Sequence, residues 1–287
     1  MSAIGAIPAL VACMFTFECV GQVPGVPEAN TNVLVRVALL SDSHLNFATS
    51  GDQTNYQARF EATVAQVNAA NVGFVLIAGD LSQSGTLREY AEFKQQIQKF
   101  HEPVWFVPGN HDTGDKFNSG KTTHVTPDRI KTYEHTVGPS WFATNCAGVR
   151  IIGINSSILG SGFEVEKQMW TFLEQELGAP ARVPTILFMH YPLFLHDLDE
   201  PGGKYWNVEP APRERLYALL QQGGVKIVLT GHLHRPLVNR RNGIRFITTP
   251  PTSFGIPAGK QPEGWTLVTI LKNGEATEEF ETSAPPT

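Results

Sequence analysis

Five short polar clusters each follow an apolar, strand-like run, and this pattern constrains the fold of the chain more than any other feature. The runs read VLVRVALLS, FVLIA, VWFVP, TILFM and VKIVLT. The clusters that follow them are Asp42-Ser43-His44, Gly79-Asp80, Gly109-Asn110-His111-Asp112, His190 and Gly231-His232-Leu233-His234. Ligand-binding residues of open α/β sheets lie at the carboxyl ends of the strands. The sequence therefore predicts one sheet edge crowded with carboxylate, amide and imidazole groups.

The segments between the clusters alternate between strand and helix patterns. Apolar spacing of helical period predicts helices over 55–70, 86–100, 128–137, 164–177 and 211–222. In the last 50 residues, Asn242-Gly243 and Asn273-Gly274 are hairpin turn signals between β-type runs. The expected fold class is α/β, with mixed β-sheets packed as a sandwich and helices on the outside.

Length and composition favour one main domain. The chain has 287 residues, of which 41% are hydrophobic, and it contains no linker-like or repetitive tract. We expect a domain over residues 33–282, preceded by a leader and linker over 1–32 and followed by a tail over 283–287. The net charge of −5 argues against a surface that coats nucleic acid. No run beyond the leader is long enough for a transmembrane helix, and the pattern indicates no particular oligomeric state.

The first residues allow two interpretations. Residues 4–17 are almost wholly apolar, and Leu10-Val11-Ala12-Cys13 is similar to a lipoprotein-processing box. This favours a signal peptide and a secreted, periplasmic or lipoprotein-anchored protein. However, no Lys or Arg precedes Arg36, so the usual basic region of a signal is missing. The alternative is a cytoplasmic protein with a disordered start or a short packed helix.

The residue types in the clusters are those of a metal site. Asp42 and His44 are two residues apart, as are His232 and His234, and side chains at i and i+2 share one side of an extended segment. Asp80 follows Gly79, and a glycine allows the backbone to come close to the metals. Oxygen and imidazole ligands without thiolates suit Mn, Fe or Zn. A single motif of this kind is more often a turn, but five at strand ends predict a site for two metals.

The clusters resemble those of the calcineurin-like metallophosphoesterase family, which includes purple acid phosphatases and several cyclic-nucleotide phosphodiesterases. All five motifs are complete between residues 35 and 254, and 190–235 is most similar to the small single-domain phosphatases. The resemblance implies a four-layer αββα fold and a catalytic domain that binds two divalent or trivalent metal ions.

The resemblance also implies a role for each matching residue. Asp42, His44 and His234 would hold the first metal, and Asn110, His190 and His232 the second. Asp80 would bridge the two ions. His111 would hydrogen-bond the phosphate and protonate the leaving alkoxide, with Asp112 orienting His111 and raising its basicity.

The implied reaction is hydrolysis of a phosphoester by metal-activated water, without a phosphoenzyme. Phosphomonoesters are slightly favoured, as phosphoproteins or small phosphorylated molecules. The alternatives are a phosphodiesterase acting on cyclic nucleotides or glycerophosphodiesters, and a non-catalytic module that binds metal or phosphate. The pair His111 and Asp112 favours an enzyme, because a structural metal site does not require it.

Two loops are candidates for substrate recognition, residues 113–127 and 196–207. His196, Tyr205 and Trp206 are the candidate substrate-binding residues in the second loop. For His196 the alternative is a solvated loop residue, and for the two aromatic residues it is local packing.

Overall fold

The computed structural model describes residues 18–19 and 32–283. The strands are β1 (Glu18–Cys19), β2 (Val33–Leu40), β3 (Phe74–Ala78), β4 (Val104–Val107), β5 (Phe142–Cys146), β6 (Val149–Gly153), β7 (Thr185–Phe188), β8 (Ile227–Thr230), β9 (Leu237–Arg241), β10 (Ile244–Thr248), β11 (Gly264–Leu271) and β12 (Ala276–Thr282). The α-helices are α1 (Tyr56–Ala69), α2 (Leu87–Ile97), α3 (Asn110–Thr113), α4 (Pro127–Thr136), α5 (Glu164–Leu177) and α6 (Pro210–Gln222).

The strands form two mixed sheets. One has the order β1-β5-β6-β7-β8-β10-β9, and the other has the order β12-β11-β2-β3-β4. Strands β2, β3 and β4 are parallel, as are β6, β7, β8 and β10. The parallel strands of each sheet therefore end at one edge. All five polar clusters lie there, after β2, β3, β4, β7 and β8.

The sheets pack face to face with helices outside, which confirms the predicted four-layer sandwich. Within β7, Ile186 and Phe188 lie in the core between the sheets, whereas Leu187 lies in a second core beneath α5 and α6. A third core packs α1 and α2 against the five-stranded sheet, with Phe60 and Phe93 as its large members. Side chains alternate across a strand, so each sheet serves two cores.

The element pattern predicted from the sequence is largely confirmed. Thr86 and Glu89 form the capping box that starts α2, although the helix ends at Ile97 rather than near residue 100. The hairpins β9–β10 and β11–β12 are antiparallel as expected. The tail is not wholly antiparallel, because β10 also pairs in parallel with β8. Strand β5 was not anticipated from the sequence, since its residues Phe-Ala-Thr-Asn-Cys lack an apolar run.

Most of the predicted leader lies outside the described residues. Of residues 1–32, the structure describes 18–19, which form β1 and pair with β5, and residue 32. The proposed signal peptide and processing box lie outside them. Across the described residues, 18–19 and 32–283, no helix combines the length and the apolar character that a membrane span requires.

Candidate metal centre

The five predicted clusters meet at one edge of the sandwich. Both sheets contribute: the clusters after β2, β3 and β4 come from one, and those after β7 and β8 come from the other. The predicted ligands are buried, with exposures from 0 to 6%. They are Asp42, His44, Asp80, Asn110, His190, His232 and His234. The structure brings these seven side chains together at that edge.

Two overlapping groups of side chains could each hold a metal ion. The first is Asp42, His44, Asp80 and His234, and the second is Asp80, His190 and His232. Within each group, one ligand atom per residue lies within 4.8 Å of all the others. Asp80 belongs to both groups. Its Oδ2 lies 3.5 Å from His44 Nε2 and 3.3 Å from His190 Nε2, between the two groups.

Asn110 adds a neutral oxygen to the second group. Its Oδ1 lies 3.0 Å from His190 Nε2, and His232 Nδ1 lies 3.1 Å from the same nitrogen. An amide oxygen is a hard ligand of the kind that first-row metals accept together with imidazole. The second group therefore offers a carboxylate, an amide oxygen and two imidazoles.

Five predicted ligands adopt the left-handed backbone conformation. The φ angles are 53° at Asp42, 46° at His44, 50° at Asp80, 70° at His232 and 53° at His234. The extended geometry assumed for the two i, i+2 pairs is therefore wrong, because a positive φ is incompatible with a strand. Non-glycine residues held in this region cost of order 1–3 kcal/mol each, and such strain clusters at functional sites. The sequence contains no signal for it.

The histidine rings are oriented as metal ligands require. His190 Nδ1 lies 2.7 Å from the carbonyl of Ala78, and His234 Nδ1 lies 2.6 Å from that of Phe254. A carbonyl only accepts, so these Nδ1 atoms carry protons and the Nε2 atoms face the cluster, where a metal ion would replace any proton they hold. Metal-bound histidines characteristically donate their second ring N–H in this way.

Several atoms of the cluster lack the partners that a closed hydrogen-bond network would give them. Asp42 Oδ1 is buried and makes no hydrogen bond of good geometry among the described residues, although His234 Nε2 lies 3.3 Å from it. His44 Nε2 and His234 Nε2 lie 3.2 Å apart, and at most one proton can lie between them. A cation among these atoms would satisfy the carboxylate and separate the lone pairs. The residues therefore fit two metal ions.

Opposite charges within the cluster shift one another's pKa values. Burial raises the pKa of Asp80, but His190 and His111 outweigh burial and hold this pKa well below its usual value. Burial lowers the pKa of His190, but Asp80 outweighs burial and raises it to about 9. Burial lowers the pKa of His44 to about 3 against the opposing effect of Asp80. A proton on His190 therefore compensates the carboxylates, and metal binding is expected to displace it.

Glycines allow the strand ends to approach each other closely. Gly79 has φ +90°, and a Cβ there would lie 2.6 Å from His190 Nδ1. At Gly109 a Cβ would lie 2.1 Å from Asp80 Oδ1. The backbone at Gly79 thus lies close to the ring of His190, whereas its inferred approach to the metals stays a prediction.

Gly79→Ala is expected to lower the free energy of unfolding more than a glycine substitution without steric conflict. The positive φ costs about 1–2 kcal/mol for alanine, and the overlap with His190 adds about 1–3 kcal/mol. Gly243→Ala is the matched control, because Gly243 has φ +80° with nothing within 4 Å of the added Cβ. Urea unfolding of both variants measures the difference. Equal losses would show that the contact with His190 is unimportant.

No described contact joins the Asp112 carboxylate to the ring of His111, as its predicted orienting role would require. His111 Nδ1 instead lies 2.6 Å from the carbonyl of Gln83. The Asp112 carboxylate accepts bonds from the backbone N–H groups of Leu81, Ser82 and Gly109, at 2.8–3.1 Å. The short helix α3 turns Asp112 away from its neighbour and toward the loop after β3. Asp112 therefore fixes the backbone that carries Asp80, whereas a carbonyl orients His111.

His111 lies at the rim of the first group. Its ring is half-buried and meets His44 edge-on, with the ring centroids 4.5 Å apart. Its backbone N–H donates to Asp80 Oδ1 at 2.9 Å. His111 is therefore anchored to the shared carboxylate through its backbone, which leaves its ring available to other groups.

The two predicted recognition loops meet beside the second group. The Tyr205 ring lies 4.8 Å from that of His232, and the Trp206 ring lies 5.8 Å from it. Lys121 Nζ lies 4.7 Å from the Tyr205 ring centroid. His196 is exposed in a turn organised by Glu200. The structure thus brings Tyr205 and Trp206 to the cluster, whereas no described contact connects His196 with it.

Some residues of the site had no signal in the sequence. Phe254 packs against both His44 and His234, with ring centroids 5.3 and 4.2 Å away. Lys116 is buried in an ion pair with Glu209, which directly precedes α6 and lies two residues after the second loop. These contacts link segments far apart in the chain, and local patterns do not reveal them.

Fold and site together define a hydrolase with a binuclear metal centre. The model of the calcineurin-like phosphoesterase family matches residues 35–236. The chain belongs to this family, and it is a metal-dependent phosphoesterase.

Individual relatives are more distant. Serine/threonine-protein phosphatase CPPED1 of Danio rerio is 28% identical over 215 residues, which span 70% of this chain and 65% of that protein, just under two thirds. The 3',5'-cyclic adenosine monophosphate phosphodiesterase CpdA of Vibrio vulnificus is 26% identical over 265 residues, 85% of this chain and 88% of that protein. A dimetal phosphatase from Danio rerio has a similar fold, with a TM-score of 0.55 and 13% identity over 88% of this chain and all of that one.

Proposed function

We propose that the protein hydrolyses phosphomonoesters with two metal ions held at the edge of the sandwich. The observation that carries this proposal is the position of Asp80, whose Oδ2 lies within 3.5 Å of a histidine nitrogen from each group. A carboxylate so placed suits a bridging ligand. When bound, two such ions act as Lewis acids that lower the pKa of water to about 7 and neutralise charge on the phosphoryl oxygens.

The proposed ligand roles follow the two groups. Asp42, His44 and His234 hold the first ion. Asn110, His190 and His232 hold the second, and Asp80 belongs to both. We further propose that residues 33–282 act as one catalytic unit, because each sheet supplies part of the ligand set.

His111 is the proposed acid. The carbonyl of Gln83 holds a proton on Nδ1, which turns Nε2 away from that carbonyl and leaves it free to meet a substrate. Protonated at both nitrogens, His111 binds a phosphoryl oxygen and then donates the Nε2 proton to the leaving oxygen. Asp112 supports this step indirectly, through the backbone that positions Asp80.

The wall beside the second group supports an anionic substrate with an apolar portion. Trp206 is 37% exposed next to a proposed ligand, and Lys121 places a positive charge over Tyr205. A phosphomonoester carries up to two negative charges, one more than a diester, and gains more from this cation. The similarity to a serine/threonine-protein phosphatase supports the same preference.

A phosphodiesterase is the second candidate. It is favoured by the similarity to a cyclic adenosine monophosphate phosphodiesterase over 85% of the chain. The same ligand set serves either reaction, because specificity depends on the surrounding loops.

Hydrolysis of 4-nitrophenyl phosphate and bis(4-nitrophenyl) phosphate with added Mn²⁺ tests these proposals. We expect turnover of both that a chelator abolishes, with the larger kcat/KM for the monoester. A larger value for the diester would favour the second candidate. Absence of chelator-sensitive turnover of either substrate would contradict both.

A further inference from the structure

The side chain of Asn110 lies between the metal-binding cluster and two residues outside it. Its Oδ1 faces His190 Nε2 at 3.0 Å. Its Nδ2 lies 3.2 Å from Asp115 Oδ1 and 3.2 Å from the hydroxyl of Tyr205. The oxygen end of the amide thus points toward the proposed second ion, and the nitrogen end points toward these two partners.

Asp115 determines which end of the amide faces the cluster. An ionised carboxylate only accepts hydrogen bonds, so the amide group opposite it must be the NH₂. Rotating the amide by half a turn would place its carbonyl oxygen against the carboxylate. Asp115 is 5% exposed, and at low dielectric that repulsion is stronger than in water. The carbonyl oxygen is therefore kept toward His190.

Asp115 is itself fixed by contacts that do not involve the proposed metal ligands. Its Oδ2 accepts a bond from Thr123 Oγ1 at 2.5 Å. The backbone N–H of Asp115 donates to the carbonyl of Thr123 at 2.8 Å, and the N–H of Val125 donates to the carbonyl of Asp115 at 2.7 Å. These bonds close the loop over residues 115–125 and hold the carboxylate in place independently of Asn110.

We propose that Asp115 is a positioning residue for the second metal ion, which fixes the Asn110 amide with its oxygen toward that ion, assisted by Tyr205. The inference rests on the proposed role of Asn110 as a ligand. An amide that rotates freely offers its NH₂ as often as its oxygen, whereas a fixed one is preorganised. Since Tyr205 belongs to the loop over residues 196–207, the contact also links that loop to the metal ligand.

Binding of Mn²⁺ to the metal-free protein, followed by calorimetry, tests the inference. The protein should bind two Mn²⁺ ions in two events. In Asp115→Leu one of these events, that of the second site, should lose about 10–100-fold in affinity, as is typical when the hydrogen-bond partner of a metal ligand is removed. The other event should be unchanged. Asp115→Asn keeps an acceptor oxygen but can also turn its NH₂ toward Asn110, so it should recover only part of the affinity. Thr123→Val is the matched control: it removes a bond to Asp115 but none to Asn110, and both affinities should stay within about threefold of the wild type.

Tyr205→Phe provides a second variant that deletes one hydroxyl and does not require Asp115 to be changed. It should weaken the same binding event by a smaller factor, and together with Asp115→Asn it carries the test if Asp115→Leu fails to fold. Wild-type binding of both ions by the folded variants would overturn the inference, as would equal losses in Asp115→Leu and Asp115→Asn. If the wild-type protein itself failed to bind two ions, the proposed function would be overturned instead.

Discussion

Asp80→Asn is expected to lower kcat/KM for a phosphomonoester by about a thousandfold and to reduce the metal content from two ions to one. An asparagine keeps the shape of the side chain and can still accept the bond from the His111 backbone N–H, which is 2.9 Å from Asp80 Oδ1. Depending on the orientation of its amide, the asparagine places either an NH₂ group or an uncharged oxygen between His44 and His190. When residue 80 no longer coordinates both ions, the transition state loses several kcal/mol of Lewis-acid stabilisation. About 4 kcal/mol corresponds to a thousandfold.

Steady-state kinetics and elemental analysis of the reconstituted variant measure the two effects together. Asp128→Asn is the control, since Asp128 is exposed in the first turn of α4 and far in sequence from every proposed ligand. It should change neither quantity. Near-normal turnover by Asp80→Asn after reconstitution would contradict the bridging role, whatever the metal content.

The strand ends could be predicted because each ligand cluster is local in sequence. An apolar run that stops at Asp, Asn or His indicates both a buried strand and the polar residue at its end. Parallel strands then place these residues at one edge of their sheet without further information. The same logic failed for β5, because Phe142–Cys146 mixes apolar and polar residues and owes its place to pairing with β6.

The inner details of the site depend on backbone geometry and on distant partners. The left-handed φ of Asp42 and His44 comes from the contacts that surround them, such as the bond from Asp42 N–H to the carbonyl of Gly79. Asp112 follows His111 directly, yet α3 separates their side chains. The partner of His111 is the carbonyl of Gln83, and a backbone group carries no sequence signal. Residue identity thus predicted which side chains meet at the strand ends but not the atoms that orient them.

His111→Asn is expected to reduce kcat more for an ester whose leaving group needs a proton than for one whose leaving group does not. Removing a general acid typically costs about 10²–10⁴-fold. An alkoxide leaving group should show a loss near the upper end of this range. For 4-nitrophenyl phosphate the loss should be smaller, because nitrophenolate departs without protonation.

The comparison of the two substrates separates acid catalysis from a loss of metal. His111 contributes its backbone N–H to Asp80, and asparagine at this position keeps that bond, so the metal content should remain at two ions. His135→Asn, at an exposed site on α4, should leave the kinetics of both substrates unchanged. An equal loss for the alkyl and the nitrophenyl ester would assign His111 to binding of the phosphoryl group alone. Since the Gln83 carbonyl holds only Nδ1, an unequal loss would identify Nε2 as the atom that delivers the proton.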